Sequence, residues 1–231
     1  MSAPKTLSID IGGTGIKMMV LNAKGEAITE RTRLPTPRPA TPEAMIKTMV
    51  SMFDKHGDFD RVSAGFPGVV HQGVVHTAPN LDPSWANIDL AKQLSDHSGK
   101  PARVANDADV QGLGDIEGKG VEMVITLGTG MGAALFVDGK LVPNLELGHH
   151  PLTKNKTYED LLSKEALAAD GKKKWSKHAL FAIETIQKIF NYDTLYVGGG
   201  NASHLKFELP PNVKKTKNIA GILGGIRLWD N

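Results

Sequence analysis

The chain has 231 residues, 40% hydrophobic and 23% charged, with a formal net charge of +2; this describes a globular protein of one or two domains, and so small a charge does not by itself argue for nucleic acid. It contains no cysteine, which excludes disulfides and thiolate zinc sites and fits a reducing compartment. No window approaches the roughly 20 apolar residues of a membrane span, and the opening MSAPKTLSIDIGG lacks the apolar core of a signal peptide, so the expectation is a cytoplasmic protein with neither nucleic-acid nor membrane partners.

Strand-like segments recur at Leu7–Asp10, Ile16–Leu21, Val62–Phe66, Val69–Val70, Arg103–Ala105, Met123–Leu127, Ala133–Val137 and Thr194–Val197. Between the second and third, the proline-rich stretch Arg31–Pro42 reads as a loop or irregular crossing. Thr41-Pro42-Glu43 is a helix start, with proline at the first helical position and an acid in the first turn. Met45, Ile46, Met49, Val50 and Phe53 then share one helical face. A second helix is predicted from Asp89 to Ser98, stopping at Gly99. A third runs around Trp175–Phe190, burying Ala179, Ala182, Ile183, Ile186 and Phe190. The lone Trp85 is assigned to the core. The class is α/β.

Two windows resemble each other. IDIGGTGIKMMVLNAKG begins at Ile9 and ITLGTGMGAALFVDGK at Ile125, so that Asp10 aligns with Thr126, Gly12 with Gly128, and Asn22 with Asp138. Each has a strand, a glycine-rich turn, a second strand and a further turn signal. Two such hairpins suggest a duplicated architecture sharing one cleft. The surplus glycines let backbone N–H groups approach a phosphate, and the threonines add a hydroxyl donor; tight hairpins are the plainer reading. Neither turn fits other nucleotide motifs. The segment Gly114–Gly120 has the wrong spacing for a Walker loop, and Gly128-x-Gly130-x-Gly132 leads into a strand rather than a helix. Asp10, directly before the first turn, sits beside a phosphate site unfavourably unless a cation intervenes. Mg²⁺ held through water answers that; a turn-initiating aspartate is the alternative.

DIGGTGIK and TLGTGMG resemble the two phosphate motifs of the sugar kinase, actin and Hsp70 superfamily, and within it the ROK sugar kinases. GFPGVV, TAPNLDPSW, NDADVQGLG, LELGHHP, TYED and YVGGGNA extend the resemblance, in order, to about Gly225. Together they look like the polyphosphate glucokinase group of that family. The resemblance implies two ribonuclease-H-like, actin-like ATPase lobes with a cleft between them. Residues 1–107, joined by a closing helix over 218–231, form one lobe and residues 108–217 the other, with a hinge near Asp107.

In VANDADV, Asn106-Asp107 ends a short strand. A carboxylate there can accept a proton from a hydroxyl attacking phosphorus, or the pair can cap the helix that follows, a role for which Asp109 is the better candidate. The resemblance assigns the base to Asp107, with Asn106 holding a neighbouring hydroxyl. By resemblance, Gly68, Asn80, Glu146, His149 and Glu159 complete the sugar shell. Zinc-bearing relatives pair the matching histidine with three cysteines; here no such structural zinc site can form, and His149 reads as a neutral hydrogen-bonding partner. His150 packs or faces solvent. On the donor side stand Asp10, Gly12, Gly13, Thr14 and Lys17, then Gly128, Thr129 and Gly130, then Gly199 and Gly200; for the last pair a tight backbone crossing is the plainer reading.

Lys154, Lys156, Lys164, Lys172, Lys173, Lys174 and Lys177 form a basic run, and Lys214, Lys215 and Lys217 follow later. Such runs are mostly solvated helix faces; a polyanion track is the alternative, with salt-dependent binding. The activity implied is Mg²⁺-dependent phosphorylation of glucose at its 6-hydroxyl by polyphosphate, ATP or both. A strictly ATP-dependent glucokinase or broader hexose kinase is the alternative, and a catalytically silent sugar binder a more distant one. ROK repressors carry a DNA-binding segment ahead of the kinase-like part, for which the position of Asp10 leaves no room. The resemblance also implies a homodimer.

Overall fold

The computed structural model describes residues 3–216 and 220–230, and the chain divides into two compact units, residues 1–114 with 219–231 and residues 115–218. In the first, β1 (Thr6–Ile11), β2 (Gly15–Leu21) and β3 (Thr32–Pro35) are followed by α1 (Pro42–Phe53) and β4 (Arg61–Phe66). A small sheet of β5 (Val70–His71), β6 (Val74–Val75) and β7 (Ile88–Asp89) leads to α2 (Leu90–Ser98), β8 (Ala102–Asn106) and α3 (Asp107–Asp115). The main sheet has the order β3-β2-β1-β4-β8. Its first three strands are antiparallel neighbours, whereas β4 and β8 add in parallel.

The predicted start signal for α1 operates: the Thr41 hydroxyl accepts from the Ala44 amide, with Pro42 at the first turn. Met45, Ile46, Met49, Met52 and Phe53 are buried, so Met52 takes the core position the periodicity gave to Val50. Asp89 caps α2, and Gly99 ends it in the left-handed conformation at φ 66°. Trp85 is fully buried, its indole N–H donating to the Ala40 carbonyl. The stretch Arg31–Pro42 is not wholly irregular. Its first residues form the edge strand β3, where Pro35 at the end costs no ladder bond.

Strand β1 is buried on both faces. Leu7, Ile9 and Ile11 join the core, while the Ser8 hydroxyl donates to the Ile222 carbonyl in the closing segment. That segment is a single α turn, α6 (Ala220–Leu223), tightening into a 3-10 helix over Gly224–Trp229; Asn218 and Ile219, expected within it, lie outside the described residues. Trp229 donates to the Ser63 hydroxyl and lies between the Arg61 and Arg103 guanidinium groups, 4.9 and 4.7 Å from its ring. A Cβ on Gly224 would overlap the Val110 carbonyl, and Arg227 donates to the Leu113 carbonyl. Helix α3 is therefore packed within the first unit.

The second unit repeats the plan. Strands β9 (Val121–Leu127), β10 (Met131–Val137) and β11 (Lys140–Val142) form the antiparallel part of a sheet ordered β11-β10-β9-β14-β15. After the hairpin of β12 (Pro151–Thr153) and β13 (Lys156–Thr157) come α4 (Tyr158–Leu162) and α5 (Lys164–Phe190). Strands β14 (Thr194–Gly198) and β15 (Val213–Lys215) then add in parallel. Helix α5 begins eleven residues before the predicted Trp175, because Ser163 caps an extra segment that breaks at Gly171 (φ 72°, ψ 159°). Ala179, Ala182, Ile183 and Ile186 are buried as predicted, while Phe190 is half-buried.

Candidate active site

The first glycine turn is closed by the Gly12 amide donating to the Gly15 carbonyl at 3.0 Å. Two side chains from the proline-rich stretch brace it. The Thr36 hydroxyl donates to the Gly12 carbonyl, and Arg38 Nη2 donates to the Gly13 carbonyl at 2.9 Å. With those carbonyls engaged, the orientation of the turn's peptide planes is set. A Cβ added to Gly12 would sit 3.0 Å from the Gly15 oxygen, whereas at Gly13 nothing comes nearer than the Asn80 carbonyl at 4.0 Å. Gly12 thus serves the turn, and the space over Gly13 is left for something else. Asn80, read as a sugar contact, is exposed beside this turn, and the Thr14 side chain is exposed as well.

Asp10 and Lys17 are directly opposed across β1 and β2, with Oδ2 and Nζ 2.7 Å apart. This alters the argument for a metal. The lysine already supplies a cation beside Asp10, so charge balance alone no longer demands Mg²⁺. Among the described residues no group of three or more His, Cys, Asp or Glu side chains could hold a metal ion. A single carboxylate beside a phosphate turn still fits an ion that keeps most of its waters and takes its other ligands from the phosphates.

The second turn closes one residue sooner, the Gly128 amide donating to the Gly130 carbonyl at 3.0 Å, and its braces differ. Asn201 Nδ2 donates to the Gly128 carbonyl at 2.9 Å, and the Lys164 amide, at the start of α5, reaches the Thr129 carbonyl at 3.4 Å. Glu159 Oε2 accepts from the Met131 amide at 3.0 Å, and it lies 2.2 Å from where a Gly130 Cβ would stand. The residue expected at the sugar is thus seated against the second glycine turn. Gly148, in the Glu146–His149 segment, packs on the Met131 carbonyl, 2.4 Å from its own hypothetical Cβ. Gly128 has nothing within 4 Å of such an atom, and neither does Gly200. Gly199 is the opposite case. At φ 83° its Cβ would lie 2.3 Å from the Leu127 carbonyl, so the tight-crossing reading accounts for it.

Asp107 opens α3 directly after β8, half-buried, with Oδ1 accepting from the Ala108 amide at 2.8 Å. Gly65, on the neighbouring strand, lets the backbone come close: its Cβ would be 3.3 Å from the Asp107 Cα. Asn106, not Asp109, caps the helix, its Oδ1 accepting from the Ala108 and Asp109 amides at 2.8 and 3.3 Å. Its Nδ2 donates to the Gly68 carbonyl at 3.0 Å, leaving one amide hydrogen. Asp109 is instead buried, 2% exposed. Gly68 is sterically required, since a Cβ would meet the Thr77 carbonyl at 2.0 Å. Glu146 and His149, both exposed, approach each other at 3.5 Å; His150 is exposed with its ring 6.3 Å from that of Tyr158.

The segment Gly114–Gly120 has a use of its own. The Glu117, Gly118 and Lys119 amides donate to the buried Glu122 carboxylate, at 2.8, 2.6 and 3.0 Å. The Tyr196 hydroxyl donates to it as well, and burial followed by this carboxylate raises the tyrosine's pKa. These amides hold an internal carboxylate in place of a phosphate. The residues that sequence reasoning missed are Thr36, Arg38 and Asn201. Each lies in a stretch read as backbone connection, and their polar side chains after a proline or glycine run were the only available signal.

The sequence profile of the ROK family matches residues 6–194. The polyphosphate glucokinase of Mycobacterium tuberculosis is 32% identical, over 94% of this chain and 88% of the relative. Among solved structures, an inorganic polyphosphate/ATP-glucomannokinase from Arthrobacter superposes with a TM-score of 0.87 at 35% identity, covering 97% of this chain and 98% of the other. A ROK family glucokinase from Streptomyces griseus, solved with glucose and AMPPNP, shares the fold at 21% identity, a TM-score of 0.78 and coverage of 97% and 98%. The repeated α/β units are those of the actin-like ATPase fold that the glycine motifs implied. The chain belongs to the ROK family.

Proposed function

We propose that this chain transfers the terminal phosphoryl group of inorganic polyphosphate or ATP to the 6-hydroxyl of glucose. The reading is carried by a sterically open glycine on each turn, Gly13 and Gly128, in a chain that is 32% identical over 94% of its length to polyphosphate glucokinases. The family resemblance assigns glucose binding to Gly68, Asn80, Asn106, Asp107, Glu146, His149 and Glu159. Asp107 accepts the hydroxyl proton as that oxygen bonds to phosphorus, while the bridging oxygen–phosphorus bond breaks and the shortened donor leaves with the electron pair. The open glycines Gly13, Gly128 and Gly200 admit phosphate oxygens to backbone amides, with Thr14, Lys17 and Thr129 beside them. Gly12, Gly130 and Gly199 act by shaping those turns. Asp10 would hold Mg²⁺ through water; bound there, the ion neutralises charge on the phosphates.

Catalysis then rests on positioning and charge neutralisation beyond the single proton transfer. The absence of cysteine supports a cytoplasmic setting, and the family resemblance supports a homodimer, which light scattering on the purified chain tests. The deciding assay is formation of glucose 6-phosphate with Mg²⁺, using ATP-free polyphosphate and polyphosphate-free ATP in parallel. Product from polyphosphate is expected. Product from ATP alone would restrict the donor, and product from neither would overturn the reading.

A further inference from the structure

The basic run after the sugar segment is not uniform in the structure. Lys174 is committed to Asp170 at 2.7 Å, an acid that also approaches His178 at 3.3 Å, and Lys214 is committed to Glu117 at 2.7 Å. Lys217 lies outside the described residues. By contrast Lys172, Lys173 and Lys177 are exposed, and none takes part in an ion pair among the described residues. They cluster because Gly171 breaks α5 and starts a second helical segment with three successive lysines. Positive charge in a first helical turn is electrostatically unfavourable, both with the helix dipole and among the lysines themselves. The cluster therefore carries a charge that no ion pair among the described residues relieves.

A fourth lysine arrives from another element. The Lys206 amide donates to the buried Ser176 hydroxyl at 2.7 Å. Ser176 lies one helical turn after Lys172 and Lys173 and directly before Lys177. Lys206 is itself exposed and takes part in no ion pair among the described residues. The segment that delivers it begins at the donor side. Gly200 opens the 3-10 helix Gly200–His204, whose Asn201 holds the Gly128 carbonyl of the second glycine turn. At about 2 Å per residue that helix spans about 8 Å from Gly200 to His204, and Lys206 follows it after the extended Leu205.

We infer that Lys172, Lys173, Lys177 and Lys206 form an extended site for the distal phosphates of a chain-like polyanionic donor. The inference rests on the proposed use of polyphosphate. The glycine turn receives the reacting end, and the lysines hold the part of the chain still to be consumed. A donor must run past the turn to reach them, which a long polyphosphate does and a single triphosphate does not. The site therefore discriminates donors by length, adding nothing to the chemical step. Since polyphosphate carries its charges along one strand, each lysine engaged contributes about 0.7 to the slope of log affinity against log salt.

The test compares wild type with Lys172→Gln/Lys173→Gln/Lys177→Gln, using long-chain polyphosphate and tripolyphosphate as donors. Fluorescence-detected binding of long-chain polyphosphate is measured in parallel. Between 50 and 200 mM salt, wild-type affinity for the long chain should fall about fifty-fold and that of the variant only about threefold. KM for the long chain should rise in the variant, with tripolyphosphate kinetics unchanged. Lys174→Gln, removing the lysine already paired, should behave as wild type. Equal salt slopes and equal long-chain KM in wild type and variant, with wild-type turnover intact, would overturn the lysine site alone. A wild-type chain that makes no glucose 6-phosphate from any polyphosphate would overturn the donor reading and this inference with it.

Discussion

The two units share one plan and use it differently. Strand order and sense are identical, β3-β2-β1-β4-β8 against β11-β10-β9-β14-β15, and each has a glycine turn between its first two strands. The first turn is braced by Thr36 and Arg38 and flanked by the Asp10–Lys17 pair. The second is braced by Asn201 and by a carboxylate, Glu159, that occupies one of the turn's own amides. Duplication supplied the frame. The Asp10–Lys17 pair apart, the groups that separate the two come from segments outside the repeated hairpins, so a mutation in a brace should affect one turn and spare the other.

The largest effect is expected at Asp107, the base proposed for the strand–helix junction of the first unit. Asp107→Asn should lower turnover by about 10²–10⁴-fold while glucose binding, followed by calorimetry, persists; retained turnover would remove the assignment. Next come the braces. Losing a hydrogen bond to a charged group costs about 1.5–3 kcal/mol, so if Arg38 also meets the donor, Arg38→Ala should raise donor KM by about ten- to a hundredfold with glucose KM unchanged. A matching change in glucose KM would assign Arg38 to the fold of the turn alone.

Glycine substitutions sharpen the contrast further. Gly199→Ala should cost about 1–3 kcal/mol in chemical denaturation, because its φ is 83° and the Leu127 carbonyl blocks the methyl group. Gly128→Ala should stay within about 0.5 kcal/mol of wild type, since nothing lies within 4 Å, yet weaken the donor. A destabilised Gly128→Ala would mean that this glycine too serves the fold.

The smallest effect concerns pH, and it belongs to the first unit. His56 is 3% exposed, its ring nitrogens 3.1 and 2.8 Å from the Thr29 and Thr32 hydroxyls. Burial, with a smaller contribution from Lys55, lowers its pKa from the ordinary 6.5. The unfolded chain then binds a proton that the folded chain refuses, so stability is full above pH 6.5 and falls as pH drops toward the folded-state value. Hydrogen exchange at pH 5.5 should loosen the amides around His56 before those of the second sheet. Equal loosening in both units would place the sensitivity elsewhere.

Much of this was legible in the sequence because the signals were local. Thr41-Pro42 started α1, Gly99 stopped α2, and the glycine spacing marked both turns. In the two main sheets the strands missed were β3, β11 and β15, edge elements of three or four residues whose pairing, more than their pattern, makes them strands; the two- and three-residue β6, β7, β12 and β13 of the small sheets were missed as well. The break at Gly171 was hidden because a lone glycine in a helical run is tolerated as often as it breaks the run.

The sequence by itself determined the α/β class, the paired glycine hairpins and the buried helix faces, and it supplied candidates for a phosphate, since backbone preference and hydrophobic period are read over a few residues. Tertiary structure decided which of them are free to do so. It tied Lys17 to Asp10 and Lys174 to Asp170, leaving Lys172 and Lys173 without an ion pair among the described residues. It gave the helix cap to Asn106 and buried Asp109. It also separated the glycines with open space, Gly128 and Gly200, from Gly199, which the backbone itself requires. The crowding of Gly199 by Leu127 comes from elements meeting in space, whereas the Asn106 cap, the Asp170–Lys174 pair and the Asp10–Lys17 pair are choices among several neighbours, made by how strands and helices pack around them.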